Sequence, residues 1–539
     1  MTALSYKKVR EGEIRGWVME EIMRLLPPSF LTDPVSAIRK MNGEVLRDSR
    51  LRWAAIFTLS DHQRLFLKRD KTKDWMESVK YLFLPSKARK EWSIAYQAQK
   101  RKLNIPRPIG WMERVRRGCV KESYYLSEAI GSGASLIENS GRLGDCFPLV
   151  ELARAVKKIH DAGLFHRDLH AGNFLWDGHF LFLTDLHSAK ILKTLSLSQR
   201  LWNISLLFQS LRSTLKEKDQ SIFMEAYFGE EPLHLRKKEA LLQKTHFYMD
   251  RIQERHWRSR TKRCLKESTE FSIENEKGSR YYHRRDVALD FIKTTIKEHL
   301  SCVEEKPSAL AKHSQEVNVS ILNDGTQRVC VKQFCYPTFW SGFKENFRRS
   351  KGLRAWVAGN GLRARGIPSL KCLAFVENRD WLRLKQSFLL MEAFGANQEM
   401  DRYISKGFSD FKEKRYFVNV FVRWLSNLHK GGLYHRDMKT CNISVSKSRE
   451  TWDFYLLDLE DVRLDRRVSE KELFKNFLQL NTSTPKTVTT TDRFRFFGAY
   501  LRLNPIVKDR KSFLRRLIDE SKRRELVYVA SWGVVTEKL

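Results

Sequence analysis

Lys68, Asp168, Asn173 and Asp185 follow one another in the first half of the chain, and Lys332, Asp437, Asn442 and Asp458 repeat that order in the second. Each lysine lies in an alternating apolar run, RLFLKR at 64–69 and RVCVKQF at 328–334. Each middle aspartate completes a His-Arg-Asp triplet, and each last aspartate ends an apolar run, FLFLTD at 180–185 and FYLLD at 454–458. Phosphoryl transfer from a nucleotide needs this set. A strand lysine neutralises the α- and β-phosphates, and a loop aspartate accepts or orients the proton of the attacking hydroxyl. An asparagine and a second aspartate hold magnesium against the phosphate oxygens. The spacing H-R-D-x-x-x-x-N is met without a gap at 166–173 and 435–442. Asp168 and Asp437 are therefore the candidate proton acceptors, Lys68 and Lys332 the phosphate lysines, and Asn173, Asp185, Asn442 and Asp458 the metal ligands. The cofactors implied are ATP and Mg²⁺.

The elements that must position these residues are themselves repeated. IHDAGLFHRDLHAGN at 159–173 and LHKGGLYHRDMKTCN at 428–442 share seven of fifteen residues at an offset of 269. Upstream, LFLKRD matches VCVKQF and SKARKEW matches SKGLRAW, both at an offset of 264. Matches kept in order at nearly constant offset indicate tandem duplication, with copies at 1–262 and 263–539 and a boundary uncertain by about twenty residues. In each copy β-rich runs come first, such as WAAIFTL at 53–59 and VNVSIL at 317–322, the latter followed by a turn at Asn323-Asp324-Gly325. Helical patterns follow at 149–160 and 416–429, ending at Gly163 and at Gly431-Gly432. The four extra residues between Asp437 and Asp458 fall in the polar turn SVSKSRETWD. The fold class expected is α+β, two tandem domains, each with a β-rich N-lobe and a helical C-lobe of protein-kinase type.

A helix glutamate should pair with each lysine. Glu91 lies 23 residues after Lys68, but the same step from Lys332 reaches Ala355, so the second copy lacks this pair unless a carboxylate such as Glu345 replaces it. That difference predicts a larger loss of turnover for Asp168→Asn than for Asp437→Asn. The strands that would face adenine, YYLSEA and FLLMEA, place Glu128 and Glu392 at equivalent positions. Neither lysine follows G-x-G-x-x-G, Leu-His or Leu-Glu replaces Phe-Gly after the metal aspartate, and no Ala-Pro-Glu follows. Without a long activation segment there is little platform for a peptide, which favours a small or glycan hydroxyl as acceptor.

Both copies resemble the lipopolysaccharide kinase family, the Kdo and core-heptose kinases. The matching residues are SKARKEW and RRSKGLRAW, the Gly-Ile-Pro-type turn with its following strand, both His-Arg-Asp loops, the Asp185 and Asp458 strands, and DRFRFFGAYLRL at 492–503. The resemblance implies an ATP-dependent kinase of a lipid-linked sugar acid or heptose of the lipopolysaccharide core, at the cytoplasmic face of the inner membrane. The rival readings are a kinase of a protein or soluble small molecule, and a nucleotide-binding scaffold without turnover.

The composition bounds the partners. Lys and Arg exceed Asp and Glu by 35, which draws the protein to an anionic surface, here a membrane or a phosphosugar. No nucleic-acid module accompanies the charge. The cluster Arg255, Arg258, Arg260, Lys262 and Arg263 is the expected membrane contact. Eight scattered cysteines without a Cys-x-x-Cys pair exclude a disulfide framework and a structural zinc site, and fit a reducing compartment. The first residues carry no apolar signal core, and no window reaches the ~20 apolar residues of a membrane span. His166 and His435 read as packing residues of their loops. His160, His170 and His187 fall where the loop spacing puts them and do not make a metal site.

Overall fold

The computed structural model describes residues 5–131, 135–138, 148–229, 235–323, 328–393, 398–448, 451–465 and 467–538. Asp324 and Gly325 of the expected hairpin turn lie outside the described residues. The chain divides into two compact units, Met1–Gln253 and Glu254–Leu539. The division falls within the helix Leu235–Thr261, inside the margin given to the boundary at residue 262. The basic stretch that follows is regular: it completes this helix, forms the 3₁₀ turn Lys262–Leu265 and leads to the strand Phe271–Glu276.

Each unit is α+β, with an antiparallel sheet first and helices after it. In the first unit seven strands run across the sheet in the order Tyr6–Glu11, Ile14–Met19, Pro108–Arg116, Cys119–Glu128, Arg64–Lys71, Arg52–Thr58, Glu44–Asp48. The second sheet has six, in the order Phe271–Glu276, Ser279–Arg284, Cys372–Arg379, Leu384–Glu392, Arg328–Cys335, Val317–Asn323. The lysine strand therefore lies between the same two neighbours in both. Strand alternation decides what each sheet face holds. Leu65 and Leu67 join an outer core with Val35, Ala37 and Ile38 of the helix Pro34–Lys40. Val329 and Val331 join one with Ile292 of the helix Leu289–Glu305. Lys68 and Lys332, one residue on in phase, point the other way.

The serines that make SKARKEW and SKGLRAW alike are helix N-caps. Ser86 Oγ accepts from Arg89 N at 3.3 Å and opens Lys87–Lys100; Ser350 Oγ accepts from Leu353 N at 3.1 Å and opens Lys351–Ala364. In the helical lobes, Leu149–Asp161 and Phe411–Lys430 each deliver a buried histidine to a tyrosine two helices further on. His160 Nδ1 is 2.7 Å from Tyr227 Oη, and His429 Nδ1 is 2.5 Å from Tyr500 Oη. Gly163 and Gly432 turn the chain after these helices with φ of 78° and 73°.

Candidate active site

In the first unit, Lys68 Nζ lies 3.1 Å from Glu91 Oε2 and touches Asp185 Oδ1. The three residues come from a strand, the capped helix and the turn after the strand Leu181–Leu183. Asp185 adopts a left-handed conformation, φ 59° and ψ 44°, which aspartate tolerates better than a branched residue and which turns its carboxylate back to the lysine. His187 Nδ1 adds a contact at 2.7 Å to Asp185 Oδ1. Burial opposes the charge of Asp185, but His187 and Lys68 outweigh it and hold the carboxyl well below the usual carboxylate range. Burial opposes Lys68 as well, and the charges of Glu91 and Asp185 keep its ammonium above the ordinary value.

The His-Arg-Asp loop is tied to that turn. His166 Nδ1 accepts from Asp168 N at 3.2 Å, so Nε2 carries the proton and donates to Asp185 O at 3.2 Å. Asn203 Nδ2 donates to His166 O at 2.6 Å, and Ser210 Oγ accepts from Ala171 N at 3.0 Å. Asp168 itself is exposed. Asn173 Nδ2 donates to Asp168 O at 2.8 Å, which leaves the side-chain carbonyl for a cation. A cavity of about 270 Å³ opens between the lobes of this unit, with Ile56, Phe66, Lys68, Glu128, Asn173 and Asp185 among its walls. Glu128 lies at its rim with its carboxylate exposed and its N–H already given to Arg107 O.

The second unit repeats this architecture and changes one part. Asp458 is again left-handed, φ 48° and ψ 54°, and Lys332 Nζ is 2.6 Å from its Oδ1. The second carboxylate on Lys332 is Glu460, at 2.8 Å, two residues after Asp458. This corrects both sequence expectations: Lys332 is paired, and Glu345 is not its partner but binds Arg348 at 2.7 Å. Burial opposes the charge of Lys332, and Glu460 and Asp458 still keep the ammonium above its ordinary value. The helix Lys351–Ala364 carries buried Ala355 where the other unit has Glu91, and it presses on the Glu460 turn. A Cβ on Gly359 would lie 2.4 Å from Cys372 Sγ and 3.2 Å from Leu459 Cδ1, and Arg354 Nε donates to Glu460 O at 3.2 Å. Glycine is needed at 359 for that approach.

Asn442 Nδ2 donates to Asp437 O at 2.8 Å, as Asn173 does to Asp168. Here the aspartate side chain is also engaged: Lys439 Nζ and Gln479 Nε2 each lie 3.2 Å from Asp437 Oδ1. Glu392 ends its strand as Glu128 does and pairs with Lys371 at 3.0 Å.

The sequence reading brought together the lysines, aspartates and asparagines but missed the residues that hold them. Asn476 Nδ2 donates to His435 O at 2.7 Å and Ser483 Oγ accepts from Thr440 N at 2.9 Å, the counterparts of Asn203 and Ser210. A signal existed. These pairs, and Tyr227 with Tyr500, are 273 positions apart, the 269 of the His-Arg-Asp loops plus the four extra residues between Asp437 and Asp458. Glu460 and His187 carried no such signal, because they occupy matching positions with opposite chemistry.

The residues present fit the cofactors. Magnesium takes oxygen ligands and favours carboxylates, and each unit offers an ionised aspartate and an asparagine carbonyl. Glu91, Asp185 and His187 also bring ligand atoms within 4.8 Å of one another, but Lys68 already occupies two of the three. The apolar walls of the cavity suit a nucleobase, and the lysine suits phosphate.

The sequence model of the lipopolysaccharide kinase (Kdo/WaaP) family matches residues 36–227 and 343–500. The lipopolysaccharide core heptose(I) kinase WaaP of Escherichia coli (strain K12) is 28% identical over 251 residues, covering 41% of this chain and 92% of that enzyme. The 3-deoxy-D-manno-octulosonic acid kinase of Stenotrophomonas maltophilia (strain K279a) is 34% identical over 89 residues, 16% of this chain and 35% of that enzyme. Among solved structures, WaaP in complex with acyl carrier protein aligns over 44% of this chain and 99% of that one, at 22% identity and a TM-score of 0.33. With more than half of its residues matched, and a His-Arg-Asp loop with its following aspartate in each matched segment, the chain belongs to the lipopolysaccharide kinase (Kdo/WaaP) family of phosphotransferases.

Proposed function

We propose that this chain transfers the γ-phosphate of ATP to a sugar hydroxyl, heptose or Kdo, of the lipopolysaccharide inner core, and that both units bind nucleotide. The observation that carries the reading is the lysine held between two carboxylates in each unit, beside a His-Arg-Asp loop whose asparagine Nδ2 binds back to the loop aspartate. Bound Mg-ATP supplies the transferable phosphoryl group and spreads the charge that develops on it. Lys68 and Lys332 hold the α- and β-phosphates. Asp185 with Asn173, and Asp458 with Asn442, hold the metal. Glu128 and Glu392 mark the strand ends against which adenine lies. Asp168 and Asp437 accept a hydrogen bond from the sugar hydroxyl and take its proton as the new P–O bond forms. Lys439 beside Asp437 suits the same step by attracting the transferred phosphoryl oxygens. Positioning and charge account for nearly all of such catalysis.

A lipid-linked acceptor places the enzyme on a membrane as a peripheral protein, at the cytoplasmic face where ATP is available. No helix among the described residues is long and apolar enough to cross a membrane. The test is incubation of the purified chain with ATP and lipopolysaccharide lacking core phosphate, followed by mass spectrometry of the core. The expected result is a gain of one phosphate per modified sugar. ATP turnover that leaves the core mass unchanged would overturn the reading.

A further inference from the structure

Between the lysine strand and the helix that follows it, each unit carries a short segment turned inside out. In the first unit this is the helix Trp75–Phe83. Trp75 and Phe83 are 73% and 84% exposed, and Met76, Val79 and Leu82 share that outer face, whereas Ser78 is buried and Glu77 and Tyr81 turn inward. An amphipathic helix ordinarily buries its apolar stripe; this one presents it to solvent.

In the second unit the segment is the turn of helix Phe339–Phe343 and its continuation to Phe347. Trp340 and Phe347 are 65% and 80% exposed, and the rings of Phe339, Trp340, Phe343 and Phe347 lie 5.4–5.8 Å apart in sequence order. The hairpin between Cys372–Arg379 and Leu384–Glu392 adds Trp381, 90% exposed. Asn346 Nδ2 donates to Leu382 O at 2.5 Å, and a Cβ on Gly342 would lie 2.2 Å from Leu384 O, so hairpin and aromatic turn form one surface.

Cations fringe both segments. Lys73, Lys80 and Arg89 are exposed around the first, and Lys344 and Arg349 around the second. Acids beside them are engaged locally: Asp74 accepts from Glu77 N, Glu77 lies 3.3 Å from Lys87, and Glu345 binds Arg348. By contrast, the expected membrane contact at 255–263 is partly neutralised: Arg258 lies 3.7 Å from Asp465 and Arg260 3.7 Å from Glu270.

We propose that these two segments are membrane-docking surfaces, whose Trp, Phe and Leu side chains enter the headgroup layer of an anionic bilayer while the basic fringe meets lipid phosphates. This inference rests on the reading of a membrane-borne acceptor. Contiguous exposed apolar side chains mark interaction sites. Aromatic rings beside Lys and Arg are the combination that interfacial binding uses, apolar burial adding to attraction by anionic lipid. The same place in the fold carries this character twice in unlike sequences, WMESVKYLF and FWSGFKENF. A lipid surface, unlike a shaped protein partner, requires only the character and not the sequence.

The experiment is flotation of the full chain with phosphatidylglycerol/phosphatidylethanolamine vesicles, without ATP or acceptor. The parent is expected to bind and to leave neutral phosphatidylcholine vesicles largely unbound. Trp75→Ser with Phe83→Ser, and separately Trp340→Ser, Phe347→Ser and Trp381→Ser, should each weaken binding. All five together should weaken it at least about tenfold. Because these side chains are exposed, melting temperature and ATP affinity should not move. Parent-like binding by the five-site variant, or no binding by the parent, would overturn the docking surface. Phosphorylation of a lipid-free core oligosaccharide separates the two readings. If the parent binds vesicles yet never phosphorylates that acceptor, the sugar-kinase reading fails and the docking surface stands.

Discussion

In the first unit the second carboxylate on the strand lysine comes from the helix, as Glu91, and the position two residues after the metal-type aspartate is His187. In the second unit the helix offers Ala355, and that later position is Glu460, which reaches the lysine instead. The exchange is reciprocal. What both units preserve is a local charge balance: a largely buried ammonium between two carboxylates. A buried charge without partners is costly, and removal of one partner of a buried pair destabilises by several kcal/mol. The constraint therefore acts on charge at a point in space, and either of two neighbouring backbone positions can satisfy it. The premise that Lys332 is unpaired does not hold, and with it goes the expectation that the first unit does more of the chemistry.

The largest effect should come from removing both proton acceptors. Asp168→Asn with Asp437→Asn should cut sugar phosphorylation by about 10²-fold or more, the range for loss of a general base. Each single variant should leave the activity of the other unit, measured as phosphate per core sugar. Full loss from Asp168→Asn alone would show that the pairing at Lys332 does not make the second unit competent.

The next effect tests what the units share. His160 and His429 are buried neutral, each lowered by burial from an ordinary value of 6.5 to about 4. The unfolded chain binds the proton more readily, so their contribution is complete above about pH 6.5 and is lost as pH falls toward about 4. Each is worth about 3 kcal/mol across that window. Thermal unfolding from pH 7.5 to 4.5 should show stability falling, and His160→Gln with His429→Gln should flatten most of that slope. An unchanged slope would assign the acid sensitivity to other groups.

The smallest effect bears most directly on the exchange. Glu460→Gln should lower turnover of the second unit about tenfold by loosening Lys332, in a chain silenced in the first unit by Asp168→Asn. Adding Ala355→Glu should restore part of it, chiefly in kcat. Failure of the added glutamate to rescue would mean that Gly359 and its neighbours fix this helix too close to the Asp458 turn for the first unit's arrangement to form.

Much of this site was legible because it depends on short-range order. Strand alternation puts Lys68 on the face opposite Leu65 and Leu67, a serine three residues ahead of a free N–H caps a helix, and the loop spacing from His166 to Asn173 is fixed by one turn. The holding residues were harder to read. Asn203 and Ser210 act on the loop through hydrogen bonds from a helix about forty positions away, and their one trace in the sequence is the change of offset from 269 to 273. Glu345 misled because it is the first acid after Lys332 in sequence, while its carboxylate folds onto Arg348.

The sequence by itself determined that the chain is a duplication, that each copy carries a strand lysine, a loop aspartate and two metal-type residues in order, and that sheet precedes helices. Those properties follow from residue type, alternation and spacing, which are local. Only the tertiary structure decided which acid meets each lysine, because in each unit a helix and a turn far apart in the chain supply the two positions around it, Glu91 and His187 beside Lys68, Ala355 and Glu460 beside Lys332. It also decided which apolar residues face water. Trp75, Phe83, Trp340 and Trp381 look like core residues in composition, and they are exposed because the sheets and helices beneath them fill their cores without them.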